Sequence, residues 1–277
     1  MKKGFILLVL FVSVFLFSAC QQEVKFDFNK GELVVGLECA YAPFNWTEDD
    51  STASNHPIFE TNTFAEGYDI QIAKLVAEEL ELTLIIKKME WGALIENLKE
   101  GSIDLIIAGM SPTADRKLSI DFTNPYYEST HVVLIKEDSS YVNAKTFADF
   151  SGANVVGQQG TVYDDLAKQL SEKGGAIYQN ALDTVPLIIF AMQSGAIDAT
   201  ILEEPVAIST VAQHSEFTYV TLETTFEIAE EDRVVSIGVR KVDTALRDAV
   251  NNALAKITNE MRTTLMNQAI DHSPEGE

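Results

Sequence analysis

The sequence predicts an α/β fold built on two units, and three observations predict it. Over residues 32–108, short runs rich in Val, Ile and Leu alternate with segments whose apolar residues recur at helical spacing. Strand, helix, strand, helix, strand is the order of a parallel sheet with covering helices. The same alternation resumes over residues 132–202. Finally, 277 residues, 46% of them hydrophobic, are enough for two such units, or one large domain, with a real core.

The elements follow in order. Residues 32–38 (ELVVGLE) are a β-branched, apolar run after Gly31 and read as a buried strand. In residues 68–80 (YDIQIAKLVAEEL), Tyr68, Ile72, Leu75, Val76 and Leu80 mark one face of a helix. Residues 82–87 read as a strand, 91–100 as a helix stopped at Gly101, and 103–108 (IDLIIA) as another buried strand. In the second unit, 132–136, 153–157, 177–180 and 199–202 read as strands, and 163–172 and 184–194 as helices. Residues 243–267 read as one long helical segment that needs an apolar surface to pack on. Between the first strand and first helix, residues 47–66 are polar, contain Pro57, and are expected to form an exposed loop. No internal repeat is found.

Charge narrows the partners. The chain carries 42 Asp plus Glu against 20 Lys plus Arg, a net charge of −22. Nucleic acid is excluded, because binding phosphates needs clustered Lys and Arg. A small cationic or zwitterionic solute fits better, although global charge steers any cation and says little of fit.

The N-terminus reads as an address. Lys2 and Lys3 precede an apolar run from Phe5 to Phe17, then Ser18-Ala19-Cys20 and polar residues, the layout of a secretory signal peptide. The run is shorter than the roughly 20 residues that a membrane-spanning helix needs. Phe17-Ser18-Ala19-Cys20 resembles a bacterial lipobox, with Phe where Leu is usual. That resemblance implies a signal peptide over residues 1–19, lipidation of Cys20, a polar tether over 20–31, and an extracytoplasmic protein anchored to the cell membrane. The alternative is an ordinary signal peptide cut nearby, with Cys20 incidental. Cys39 then has no disulfide partner unless Cys20 stays unlipidated.

Two segments speak of an anion. Residues 109–116 (GMSPTADR) follow directly on a strand, at the end where open parallel sheets bind ligands. Pro112 and Asp115 suit the start of a short helix, and the Arg116 fork matches a carboxylate. On its own, this serves equally as a solvated arginine on a turn. In the second unit, residues 155–162 (VVGQQGTV) leave a strand, turn at Gly160 and enter a helix that Thr161 can cap, leaving amides free around Val162.

These segments resemble the amino-acid-binding subunits of bacterial ABC importers, the extracellular solute-binding proteins for polar amino acids. The matching motifs are GELVVGLE, YAPFNW, GYDIQIAKLVAEEL, EWGALIENLKEGSIDLIIAGMSPTADRK, IDFTNPYYES, VVGQQGTVYDD, QSGAIDATILEEPVA and VVSIGVRK, in the family's order. The resemblance implies a two-lobed, type II periplasmic-binding-protein-like α/β fold, each lobe a mostly parallel sheet flanked by helices. Lobe one would comprise residues 32–127 plus 237–266 and lobe two 132–226, with hinge crossings at 128–131 and 227–236 and a tail at 267–277.

The same resemblance implies site roles. The ligand's α-carboxylate would be held by Arg116, Ser111, Thr161 and Val162. Its ammonium would be held by Glu203, where many relatives have Asp, with Gly109 and Ser111; Glu204 is the alternative acid. Glu38, Tyr41 and Trp91 would read the side chain. An acid at 38 favours arginine, lysine, ornithine or histidine, and aromatic walls around a cation contribute about 0.5 to 2 kcal/mol each. Glutamine and cystine remain open, and Tyr41 and Trp91 can equally be rim packing. Phe44 is expected in the core and Trp46 as a loop anchor. Asp104 and Asp198, in matching Gly-x-Ile-Asp segments, are expected to cap turns at the opposite strand ends.

The implied mechanism is closure of two lobes on a free amino acid, read by an importer's permease and ATPase subunits; a monomer without cofactor or metal is expected. A dehydratase-like enzyme on the same fold is the competing class. It would need a poised acid or base, and His131 and His214 are candidates by residue type alone. No His, Cys and carboxylate cluster has metal-ligand spacing.

Overall fold

The structure is a computed structural model that describes residues 24–128 and 130–274. The expected signal peptide and Cys20 lie outside the described residues. From Gly31 the chain enters β1 (Glu32–Leu37), then a small antiparallel sheet of β2 (Ala40–Tyr41), β3 (Asn45–Glu48), β4 (His56–Pro57) and β5 (Phe64–Glu66), in the order β2-β3-β5-β4. Next come α1 (Tyr68–Glu79), β6 (Thr83–Lys88), a short 3-10 turn at Trp91–Ala93, α2 (Leu94–Glu100), β7 (Leu105–Ile106), α3 (Ala114–Ser119) and β8 (Asp121–Glu128). The second unit holds β9 (His131–Lys136), β10 (Asn154–Val156), α4 (Val162–Gly174), β11 (Ile177–Tyr178), α5 (Val185–Gln193), β12 (Ala199–Glu203), α6 (Glu204–Gln213) and β13 (Phe217–Val220). The chain then returns through β14 (Val234–Val239), α7 (Thr244–Lys256) and α8 (Asn259–Asp271).

Two five-stranded sheets result, in the orders β6-β1-β7-β14-β8 and β11-β10-β12-β9-β13. In each, one strand runs against the others: β14 in the first sheet and β9 in the second. Each reversed strand follows a crossing between lobes, so the direction changes where the chain enters from the other side. Beside the crossings, β8 and β14 pair with each other, Glu128 opposite Val234. The fold is thus α/β with two mostly parallel sheets, and the parallel strands point their carboxyl ends at one cleft.

Several elements differ from expectation. The segment 103–108 contains only a two-residue strand, yet Asp104 N–H reaches Val34 O at 2.7 Å and Ile107 N–H reaches Gly36 O at 3.3 Å, so the parallel pairing extends beyond it. The long helix expected over 243–267 is two helices, because Ile257 is extended and Thr258 caps α8 by accepting the Met261 N–H. Residues 47–66 are no simple exposed loop. They fold into the four-stranded small sheet, bury Ile58 and Ala65, and spend their polar groups on one another: the buried Glu66 carboxylate accepts from Thr52, Ser54, Gln71 and the Gly67 amide. β14 begins at Val234, inside the stretch expected as a crossing, and α8 runs to Asp271, into the expected tail.

The stretch expected as a tether is described from Val24, and from there it lies on the first lobe. Phe26 is buried, its N–H donates to Asp243 Oδ1 at 2.8 Å, and Lys30 is paired with Asp104. Asp104 also accepts the Val34 amide, and Asp198 accepts the Asn154 amide at 2.7 Å. The two Gly-x-Ile-Asp acids thus pin equivalent strands of the two sheets at the ends away from the cleft. Phe44 is fully buried and stacks on Tyr41 at 5.5 Å between centroids. Trp46 is buried too, donating its indole N–H to Glu48 at 2.5 Å.

Candidate functional site

Four strand ends supply the site. β1 ends at Leu37 and hands on Glu38; β7 leads to Gly109 and Ser111; β10 leads to Gln158 and Thr161; β12 ends in Glu203. At these ends the ladder stops and backbone groups become free for a ligand. Two helix starts add amides: Thr113 caps α3 by accepting the Arg116 N–H, and Thr161 caps α4 by accepting the Tyr163 N–H.

A narrow cavity between the lobes is lined by Glu38, Tyr41, Trp91, Gly109, Ser111, Arg116, Thr161 and Val162, all of them expected from sequence. It is also lined by Gln158 and Tyr163, which were not. Glu203 sits against its wall, buried, with the Tyr41 hydroxyl donating to it from the other lobe. Its neighbour Glu204 turns away and accepts from the Thr130 hydroxyl at 2.9 Å beside the hinge.

The lobes meet directly here. Arg116 donates one guanidinium nitrogen to Ser111 O at 2.7 Å and the other to Gly160 O of the second lobe at 2.9 Å. Trp91 sends its indole N–H toward the same carbonyl, 3.4 Å away, and its ring lies 5.1 Å from the Arg116 guanidinium carbon. Trp91 therefore orients the arginine as well as lining the cavity. Glycine suits position 109 for two reasons: its φ is 60°, and a Cβ there would stand 3.2 Å from the Tyr41 ring, a tight contact.

Electrostatics mark three groups. Burial pushes the Glu38 carboxyl up to about 7; a hydrogen bond from Gln158 and the charge of Lys88 hold it down, and Glu90 pushes it further up. Its Oε1 is buried with no hydrogen-bond partner. Burial alone pushes Glu203 up to about 8. Burial also brings Arg116 down to about 10, opposed by Tyr163 and Asp232. Two buried carboxyls and one buried guanidinium, none of them in a salt bridge among the described residues, are groups that can answer the charges of a small ionic ligand.

The remaining candidates fall elsewhere. His131 opens β9 beside the hinge; burial, aided by the charge of Arg233, pushes it down to about 4, so it is neutral, and its ring packs 5.7 Å from Tyr163. His214 ends α6, its Nδ1 3.4 Å from Gln193 Nε2, outside the residues lining the cavity. Cys39 is a buried free thiol pushed up to about 12, hence unreactive. Among the described residues no group of His, Cys, Asp and Glu could hold a metal ion, and no helix is long and apolar enough to cross a membrane. Gln158 could have been found from sequence: it lies two residues before Gly160 on the segment leaving β10. Tyr163, one residue into a helix, gives no such signal.

The sequence profile of the bacterial extracellular solute-binding proteins, family 3, matches residues 33–269. Among curated proteins, the chain is 27% identical to the arginine-binding extracellular protein ArtP of Bacillus subtilis, covering 93% of each. It is 26% identical to a probable histidine-binding protein of Campylobacter jejuni, over 90% of this chain and 95% of that one. Among solved structures it superposes on an amino acid ABC transporter substrate-binding protein, AbpA from Streptococcus pneumoniae, bound to L-arginine. There the TM-score is 0.74, with 26% identity over 88% of this chain and 97% of the other. With both lobes, both crossings and the cleft inside the matched span, the chain belongs to the bacterial extracellular solute-binding proteins, family 3.

Proposed function

We propose that this chain is the substrate-binding subunit of an amino-acid ABC importer and that it takes a basic amino acid. The observation that carries the preference is Glu38: a buried carboxyl with an unpartnered oxygen, in the same cavity as Arg116 and close to the aromatic rings of Tyr41 and Trp91. The arginine- and histidine-binding relatives support it. Arg116, with Ser111, Thr161 and Val162, receives the α-carboxylate. Glu203, with Gly109 and Ser111, receives the α-ammonium. Glu38 faces the distal cation between Tyr41 and Trp91. The ligand exchanges the Arg116 contact to Gly160 and the Tyr41 contact to Glu203 for its own, so it binds the closed arrangement better and shifts the lobes toward it. The permease and ATPase then distinguish closed from open. The protein is monomeric, held at the membrane by lipid on Cys20, and releases its ligand chemically unchanged.

A thermal-shift screen tests the reading, since a solute that binds only the native state raises its melting temperature. Arginine, lysine, ornithine or histidine should shift the transition. A shift with glutamine or cystine and none with the basic amino acids would overturn the preference, and a shift with no amino acid would overturn the function. Below pH 7 a neutral Glu38 can donate to an amide oxygen, so glutamine belongs in the screen.

Binding of L-arginine should also depend on pH, with a definite sign. Glu38 and Glu203 are raised in the empty protein to about 7 and about 8, so below these values both are largely neutral. Clamping two cations needs both ionised, so binding expels protons and the affinity rises with pH. Calorimetry should show at least about tenfold tightening from pH 6 to pH 8, and Glu38→Gln should remove part of that slope and most of the affinity. A flat profile would refute the pairing.

A further inference from the structure

Behind the cavity lies a buried carboxyl that is not itself among the lining residues. Asp69, in the first turn of α1, has no exposed surface. Its Oδ1 accepts from the Tyr126 hydroxyl at 2.6 Å and its Oδ2 from the Asn45 amide at 2.8 Å. Each donor in turn accepts a backbone N–H: Gly109 reaches the Tyr126 oxygen at 3.0 Å, and Cys39 reaches Asn45 Oδ1 at 2.8 Å. Both backbone residues are left-handed, with φ of 60° and 56°. One turn is Gly109 itself; the other directly follows Glu38.

We infer that Asp69 is a positioning residue for amino-acid binding: as the shared acceptor of two relays, it fixes the turns at Gly109 and Cys39 from which the Gly109 carbonyl and the Glu38 carboxyl meet the ligand. The functional half of the inference rests on the amino-acid-binding reading above. The relays have a direction. Each N–H must find an acceptor, so the Tyr126 oxygen and Asn45 Oδ1 accept, and the Tyr126 hydrogen and the Asn45 NH2 must then donate onward to the same side chain. Only a group that accepts twice satisfies both. An asparagine at 69 would set an NH2 against a donor and leave one relay broken in a buried place. The position is also a costly one for a carboxyl, since burial pushes Asp69 up to about 7 despite its hydrogen bonds from Tyr126, Asn45 and the Gly109 amide. Such a group is better explained by what it holds than by what it adds to stability.

The test uses the mature chain, titrated calorimetrically with L-arginine, with hydrogen exchange read at the Gly109 and Cys39 amides. Asp69→Asn and Tyr126→Phe should each weaken L-arginine about tenfold or more and speed exchange at Gly109, with unchanged circular dichroism. Tyr126→Phe removes a single oxygen and keeps the ring that stacks on Tyr68, so it carries the test if Asp69→Asn does not fold. The reciprocal double substitution, Asp69→Asn with Asn45→Asp, restores every donor and acceptor along both relays and should return the affinity to within about threefold of wild type. A merely structural role would lower the melting temperature and leave the dissociation constant alone. Folded single variants with wild-type affinity, or a folded double variant without recovery, overturn the inference. If the wild-type chain binds no amino acid, it is the binding reading that falls, and unchanged Gly109 protection in Tyr126→Phe would still overturn the relay.

Discussion

Arg116→Ala is expected to abolish measurable amino-acid binding while leaving the empty protein folded and no less stable. The first half follows from removing the only cation among the residues that line the cavity. A carboxylate buried there without its partner forfeits about 3 to 5 kcal/mol, which is about two to nearly four orders of magnitude in the dissociation constant. The second half follows from what Arg116 does in the empty cleft. It forms no salt bridge among the described residues, donating instead to the carbonyls of Ser111 and Gly160, and burial holds it down at about 10. A guanidinium so placed is a burden on the empty fold that a ligand carboxylate relieves. Calorimetry with L-arginine and a melting curve without it check both halves. Tight binding by the folded variant would refute the carboxylate assignment.

Arg116 was legible in the sequence because its setting is local. A strand run, a Gly, a Pro and an Asp suited to a helix start, and an arginine all lie within one short segment, and Gly160-Thr161 before a helix repeats the logic. Glu38 and Glu203, each at a strand end, were singled out only through the family resemblance. What stayed hidden depends on pairs far apart in the chain. Asp69 reads as an acid in the first turn of a helix, and nothing nearby announces that Tyr126 will reach it from β8. The sheet within 47–66 was missed because its polar residues satisfy one another, which composition cannot distinguish from satisfaction by water. Nor could residues 24–31 be seen to dock, since Phe26 meets Asp243 across nearly the whole chain. The break at Ile257-Thr258 was the readable exception: Thr258 is a capping residue inside an otherwise helical pattern.

Arg240→Ala is expected to do the reverse of Arg116→Ala, and the two ends of one sheet explain why. Arg240 follows β14, which runs against β1 and β7, so it lies at their amino ends, away from the cleft. It is buried, with Nε to Asp243 at 2.6 Å, Nη2 to Asp104 at 3.2 Å, and Nη1 to the carbonyls of Ile103 and Leu98 at 2.6 and 3.1 Å. Four of its five N–H groups are used, and through Asp104 and Asp243 the cluster extends to Lys30, Val34 and Phe26. Truncation leaves Asp243 buried without a cation, and Asp104 with Lys30 alone. Breaking such a cluster costs about 3 to 5 kcal/mol, which in a chain of this size lowers the melting temperature by roughly 10 °C. The dissociation constant for L-arginine, measured well below the transition, should remain that of wild type, because no residue of the cluster lines the cavity. A variant that melts like wild type would show the cluster to be dispensable. One that melts normally but binds weakly would mean that the amino ends of the strands help set the site, contrary to the division drawn here.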